Sequence, residues 1–222
     1  MNGVFVTGTG TEVGKTVVAA AIARTLAAEG KRVAVFKPAV TGLDEHLADG
    51  EPDHVLLRRA AGSTQDDAEI APYRFGPPVS PHLAAEMAQE EIDPSRLIAA
   101  ARAAGAGCDA LVCEGVGGLL VPLSDNYLVR DLAAELALPV VIAAPPGLGT
   151  INHTLLTVDA ARAAGLEVVA VVLTPWPDEP SRIERSNRET IQSLGRVIAE
   201  TLPLLDLSAP ETWPPMGRST HL

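Results

Sequence analysis

Residues 4–25, VFVTGTGTEVGKTVVAAAIART, carry the reading that decides the fold. Their loop ends in Gly14-Lys15-Thr16, the close of the phosphate-binding pattern G-x-x-x-x-G-K-[ST], yet counting back from Gly14 to the pattern's first glycine reaches Thr9. The stretch is therefore either a phosphate loop with one additional residue or a glycine-rich turn that ends in Gly-Lys-Thr by coincidence. Its flanks favour the first. Val4, Phe5 and Val6 form a short apolar, β-branched run suited to a buried strand, and the alanines and leucine after Thr16 suit a helix. Gly8, Gly10 and Gly14 let the backbone come close to an anion, and the first turn of the next helix directs unpaired N–H groups at it. In this context Lys15 supplies charge to terminal phosphates, and the Thr16 hydroxyl suits a Mg²⁺ ion.

The rest of the chain repeats the strand-then-helix rhythm. The apolar runs VFV, RVAVF, ALVCE, PVVIAA and EVVAVVL alternate with helical segments expected over 13–28, 52–61, 94–104, 128–136, 152–164 and 180–194. That alternation predicts an α/β fold, a single P-loop NTPase-like domain over 1–222 with a mainly parallel sheet and helices on both faces. Gly30, Gly62 and Gly165 mark helix ends. The stretch SAPETWPPMGRSTHL, 208–222, has prolines and no period, and reads as a loop or tail, either a loose end or a cover for the nucleotide base.

The 28 acidic residues against 17 basic ones give a formal net charge of −11, which argues against nucleic acid or an anionic membrane as the main partner. Cys108 and Cys113 flank a buried strand without metal-ligand spacing and read as core thiols of a reducing compartment. The first residues enter a strand without a basic region and long apolar stretch, and no apolar run is long enough to span a bilayer, so a cytoplasmic location is expected.

In a parallel sheet, ligands gather beyond the carboxyl ends of the strands. Glu114, at the end of a buried strand in CEGVGG, is costly there unless a cation pairs with it; the cation is either Mg²⁺ or a lysine. Lys37, in VFKPAVTG, can stabilise charge on a phosphoryl group or an attacking carboxylate, or it can be a solvated loop lysine. Asp53 opens a helix in EPDHVLLRR, and taken alone it reads as an N-cap. Gly147 and Gly149 precede a helix expected to begin near Asn152, a second anion site at a helix start, where Asn152 and His153 are also plausible caps.

Taken together, VTGTGTEVGKT, FKPAVTG, SPH, CEGVGGLLVPLSD, LGTINHTLLT and AAGLEVVAVVL follow the order of motifs in a known family. The chain resembles the dethiobiotin synthetases, which use ATP to close a cyclic urea from 7,8-diaminopelargonic acid and CO₂ in biotin synthesis. The longer phosphate loop is a trait of that family. The resemblance implies Thr16, Asp53 and Glu114 as Mg²⁺ ligands, and Lys15 and Lys37 as the catalytic lysines that hold phosphate and carbamate. It implies nucleotide contacts at Glu12, Val13, Gly14, Lys15, Thr16, Val17, Asp53, Glu114, Gly115, Val116 and Gly117. Thr174, Pro175, Pro203, Leu204 and Leu205 would lie near the base. The diamine would meet Thr11, Lys37, Thr41 and Gly118. Gly149, Thr150 and Asn152 match the segment that receives its distant carboxylate, donated in the family by the second subunit of a homodimer.

Two positions depart from the family pattern. Thr174 stands where many members have an asparagine that reads the adenine edge, which leaves base preference open. Asn187 stands about where some members place a tyrosine near the substrate. Two other functions fit parts of the pattern. An ATPase that amidates a large cofactor precursor usually carries a glutaminase domain, for which this chain has no room. A regulatory ATPase of the partition or cell-division kind has an additional lysine early in the loop, where this chain has Thr9 and Gly10.

Overall fold

The computed structural model describes residues 2–44 and 51–216. In chain order the elements are β1 (Gly3–Gly8), α1 (Lys15–Ala28), β2 (Val33–Phe36), β3 (Ala39–Val40), α2 (Asp53–Ala61), α3 (Asp67–Ile70), β4 (Tyr73–Arg74), α4 (Pro81–Ala88) and α5 (Pro94–Gly105). There follow β5 (Ala110–Gly118), β6 (Pro122–Ser124), β7 (Tyr127–Leu128), α6 (Val129–Leu136), β8 (Val140–Ala144), α7 (Thr150–Ala163), β9 (Val168–Trp176), α8 (Arg182–Gly195) and β10 (Ile198–Pro203). A short 3₁₀ turn, Pro210–Thr212, comes last.

Six strands form one parallel sheet in the order β10-β9-β8-β1-β5-β2. Successive side chains of a strand face opposite ways, and each face here has its own core. Phe5, Leu111, Cys113 and Ile142 point to the face covered by α5, α6, α7 and α8. Val4, Val6, Val112 and Val141 point to the face covered by α1 and α2. Because strands buried on both faces need apolar residues at every position, the sequence reads as continuous runs rather than alternation. Burial also pushes the Cys113 thiol pKa upward, so that thiol is an inert core group.

The outer edge of β2 is closed by a side chain. The Gln65 amide accepts from Val35 N–H at 2.8 Å and donates to Val35 C=O at 3.1 Å, imitating one rung of a missing strand.

The structure departs from the sequence expectation at the other end. β10 pairs parallel with β9, giving a sixth strand that the apolar runs did not announce. Its burial is uneven and it contains Glu200, Thr201 and Pro203, so it lacks the continuous apolar signature of the inner strands. Of the two alternatives for the C-terminal stretch, the described part is a packed loop and not a loose end. Trp213 and Met216 are buried in the core beside α1 and α2, Trp213 Nε1 donates to Asp206 C=O at 2.7 Å, and Met216 N–H donates to Thr25 Oγ1 at 2.9 Å. Residues 217–222 of that expectation lie outside the described residues.

Candidate active site

β1 lies between β5 and β8, and the loop that leaves it enters α1. Gly14 is the N-cap of α1 at φ 86°, a left-handed conformation that favours glycine. A Cβ there would stand 2.5 Å from the Thr174 methyl group, so the loop rests directly on the end of β9. Thr174 is itself buried, which fixes its methyl as a floor under the loop.

At the start of α1, Lys15 is 7% exposed, and its Nζ donates to Gly10 C=O at 2.7 Å across the loop. Burial lowers its pKa, with Lys37 adding to the effect and Glu114 opposing it. The Thr16 hydroxyl donates to Glu114 Oε1 at 2.9 Å. Glu114 is fully buried on β5, and its Oε1 also accepts from Lys37 Nζ at 2.6 Å. Lys37 Nζ reaches Asp53 Oδ2 at 2.8 Å as well. Lys37 is therefore a buried cation between two carboxylates and not a solvated loop residue. Burial alone would lower its pKa, but Asp53 and Glu114 outweigh that and raise it, so it is protonated at neutral pH. Burial opposes ionisation of Asp53 too, yet Lys37, with help from the Thr16 hydroxyl, holds its pKa below the ordinary value. Glu114 shifts upward through burial, with Lys37 resisting.

Asp53 is not a cap. Pro52 occupies the N-cap position of α2 without a side-chain cap bond, and the Asp53 carboxylate turns to Lys37. Glu114 takes the lysine partner that its position demanded, but Oε2 is buried and has no hydrogen-bond partner among the described residues. That unused oxygen, the Asp53 carboxylate and the Thr16 hydroxyl form a set of hard oxygen donors that suits a cation of the Mg²⁺ type, which takes one or two carboxylates and keeps its waters.

These groups line a cleft of about 440 Å³. It brings together Thr11, Glu12, Gly14, Lys15, Thr16 and Val17 with Lys37, Thr41, Asp53, Glu114, Val116 and Gly117. Ala39, Glu51, Leu56 and Leu207 complete its wall and were missed by sequence reasoning, since nothing in their types signals a ligand. Several sequence candidates do not line it. Val13 packs against the core beside α1, and a Cβ on Gly115 would meet Val129 Cγ1 at 2.9 Å, so that glycine lets β5 pass close to α6. Thr174 lies beneath the loop, Leu205 packs against the core, and Pro175, Pro203 and Leu204 are exposed.

The second predicted anion site is placed differently. α7 starts at Thr150, with Gly149 as N-cap at φ 93° and no side-chain cap bond, so Asn152 and His153 are helical residues and not caps. Gly149 and Asn152 are exposed, whereas Thr150 is buried with its hydroxyl 3.3 Å from that of Thr154. None of the three lines the 440 Å³ cleft. Asn187, on α8, is buried, and its amide donates to Pro146 C=O at 2.8 Å and to Gly147 C=O at 2.9 Å, fixing the turn that leads into α7. Gly118 lies with Thr11 in a separate, mainly apolar hollow of about 450 Å³ beside Leu120 and Leu156.

A parallel sheet whose first strand feeds a glycine loop, followed by lysine and threonine at a helix start and a carboxylate on a neighbouring strand, defines a P-loop nucleoside triphosphatase. Residues 2–211 match the family described as AAA domain. Within that class, the chain belongs to the ATP-dependent dethiobiotin synthetase family. It is 47% identical to the Anaeromyxobacter dehalogenans (strain 2CP-C) enzyme of that name, over 82% of this chain and 81% of the relative. It is 43% identical to that of Rhodococcus erythropolis, over 91% and 86%. With the Bacillus subtilis (strain 168) enzyme it shares 35%, over 87% and 83%. Among solved structures, the Pyrococcus furiosus cell division ATPase MinD aligns at TM-score 0.54 and 17% identity, covering 91% of this chain and 84% of that one. The Thermotoga maritima cell division protein FtsY aligns at 0.52 and 13%, covering 98% and 66%. Those two likenesses concern the fold alone.

Proposed function

We propose that the protein closes the cyclic urea of dethiobiotin from 7,8-diaminopelargonic acid and CO₂ at the cost of ATP, as a cytoplasmic homodimer that uses Mg²⁺. The observation that carries this reading is the buried Lys37, held protonated between Asp53 and Glu114 next to the phosphate loop. A fixed positive charge at that place serves an anion that forms beside a phosphate, which is what a carbamate is. The family membership supports the same reaction.

In this account one amine of the diamine adds to CO₂ and loses a proton, giving a carbamate whose charge Lys37 balances. The carbamate oxygen attacks the γ-phosphorus of ATP and ADP leaves, giving a carbamic-phosphoric mixed anhydride. Lys15 and the N–H groups at the start of α1 hold the phosphoryl oxygens in place. The neighbouring amine then attacks the carbonyl carbon of the anhydride, the bond from that carbon to the phosphate oxygen breaks, phosphate leaves, the amine nitrogen loses a proton, and the ring closes. Thr16, Asp53 and Glu114 would hold Mg²⁺, which supplies charge neutralisation on the phosphate oxygens. Thr41 and Thr11 would meet the diamine. Its far carboxylate would sit at Gly149, Thr150 and Asn152 of a second copy, because in one chain these residues stand outside the cleft. Among the described residues no helix is long and apolar enough to cross a membrane.

Phosphate release with ATP and Mg²⁺, with diaminopelargonic acid and bicarbonate each added and omitted, tests the reading. It requires release that depends on both additions, together with the cyclic urea by mass spectrometry. Release indifferent to both would identify a regulatory ATPase instead.

A further inference from the structure

The cleft has one wall that neither the phosphate loop nor the catalytic carboxylates supply. Leu207 reaches it from the C-terminal segment, 38% exposed, on the same cleft as the apolar side chains of Val17 and Leu56. The segment that carries Leu207, 206–216, is seated on the α1 and α2 side of the sheet. Trp213 is buried there, Arg24 Nε donates to Glu211 C=O at 3.1 Å, and Ser208 N–H and Oγ both donate to Asp206 Oδ1. None of these anchors touches the cleft itself.

Arg59 connects the two. It lies in the last turn of α2, and its guanidinium donates from one nitrogen to Glu51 Oε1 at 2.5 Å and from another to Ser208 C=O at 2.7 Å. Glu211 Oε2 lies 3.9 Å away and completes its surroundings. Glu51 is itself a wall of the cleft, just ahead of Asp53, and Ser208 directly follows Leu207. One planar fork thus ties together two cleft walls that come from distant parts of the chain.

We propose that Arg59 is a positioning residue for the nucleotide: by holding Glu51 and Ser208 on one guanidinium it keeps Leu207 in place as an apolar wall against the nucleoside. A fork with two directed donors sets both partners at once, which a lysine point charge does not. Leu207 then packs on the nucleoside while the polar end of the cleft holds the phosphates. Arg59 touches neither and acts through the wall.

The inference rests on reading the cleft as a nucleotide site, so the test is direct ADP binding to the full chain by titration calorimetry, alongside steady-state kinetics. Arg59→Ala is expected to weaken ADP about tenfold and to raise the KM for ATP in step, with kcat and the KM for the diamine at wild-type values. Arg59→Lys should fall between the two, and it serves as the test variant if Arg59→Ala melts below the assay temperature. Leu207→Ala should weaken ADP too, and the double variant should lose no more than the worse single variant, because both changes remove the same wall. Wild-type ADP affinity in Arg59→Ala would overturn the inference and leave the nucleotide reading intact. Losses that simply add, or a kcat that falls with the affinity, would also overturn it. A wild-type protein that binds no ADP would overturn both readings.

Discussion

The phosphate end of the cleft and the turn at the start of α7 are both glycine-built helix entrances, and they are finished to very different degrees. Around Lys15 and Lys37 the charges are buried and matched, with Lys37 Nζ at 2.6 Å from Glu114 and 2.8 Å from Asp53. At the start of α7, Gly149, Asn152 and His153 are exposed, Leu148 is 95% exposed, and no charged side chain of the described residues bonds to the turn. The contrast teaches that the chain itself supplies the partners for its buried charges around Lys15 and Lys37, and leaves the entrance to α7 open. Buried charge is tolerated where its partners are present in the same chain, and the open turn is what a site shared between two copies would leave in each.

The largest effect should come from the finished side. On the proposed mechanism Lys37→Ala removes the charge that would serve the carbamate and should lower kcat about a hundredfold or more, while the protein still binds ATP. It also strands Glu114 and Asp53, so its melting midpoint should fall, by the equivalent of about 3–5 kcal/mol if both carboxylates stay ionised. Wild-type turnover in this variant would remove Lys37 from the reaction. Gly14→Ala should abolish nucleotide binding and cost about 1–3 kcal/mol, because the new methyl group meets Thr174 in a left-handed backbone conformation. Calorimetric unfolding with and without ADP would check both parts.

Asp53→Asn sharpens the metal half of the comparison. The Mg²⁺ concentration for half-maximal activity should rise more than about tenfold, and a chelator should stop the wild-type reaction until Mg²⁺ is restored. An unchanged Mg²⁺ requirement would leave Asp53 as a partner of Lys37 alone.

The smallest effect belongs to neither site and calibrates the rest. Asp109 accepts from the Arg32 backbone and guanidinium, which draw its pKa down to about 2. A carboxyl whose folded pKa is depressed contributes stability that is full above its unfolded value of about 3.9 and lost as pH falls toward 2. Asp109→Asn should therefore lower the melting midpoint slightly at pH 7, and the gap to wild type should close near pH 2. A gap that persists there would assign the loss to packing.

Much of the phosphate side was legible in the sequence, because its requirements are local. Gly14, Lys15 and Thr16 are adjacent, and a strand before them and a helix after them suffice to place their roles. Glu114 was legible as a charge at the end of a buried strand, though not as a partner of Lys37, since that contact joins residues 77 apart in sequence. Asp53 taken alone read as a cap; the resemblance made it a Mg²⁺ ligand, and only the fold revealed the turn of its carboxylate to Lys37. Leu207 and Arg59 carried no sequence signal at all, because a single apolar residue at the surface is ordinary and an arginine on an exposed helix face is what solvent alone would select. β10 was hidden for the related reason that an edge strand with Glu200 and Pro203 lacks the apolar run that announces a central one.

The most direct test of a site divided between two copies is complementation. Lys37→Ala breaks the finished half, and Asn152→Glu places a negative charge where the substrate carboxylate would arrive, so each variant alone should turn over poorly at low diamine. Co-expressed and purified together, they should form mixed dimers in which one site draws an intact Lys37 from one copy and an intact Asn152 from the other. Activity clearly above that of either variant alone is the predicted result. A mixture no more active than the average of its parts would show that both residues serve within a single chain, and the comparison between a finished and a shared site would fail.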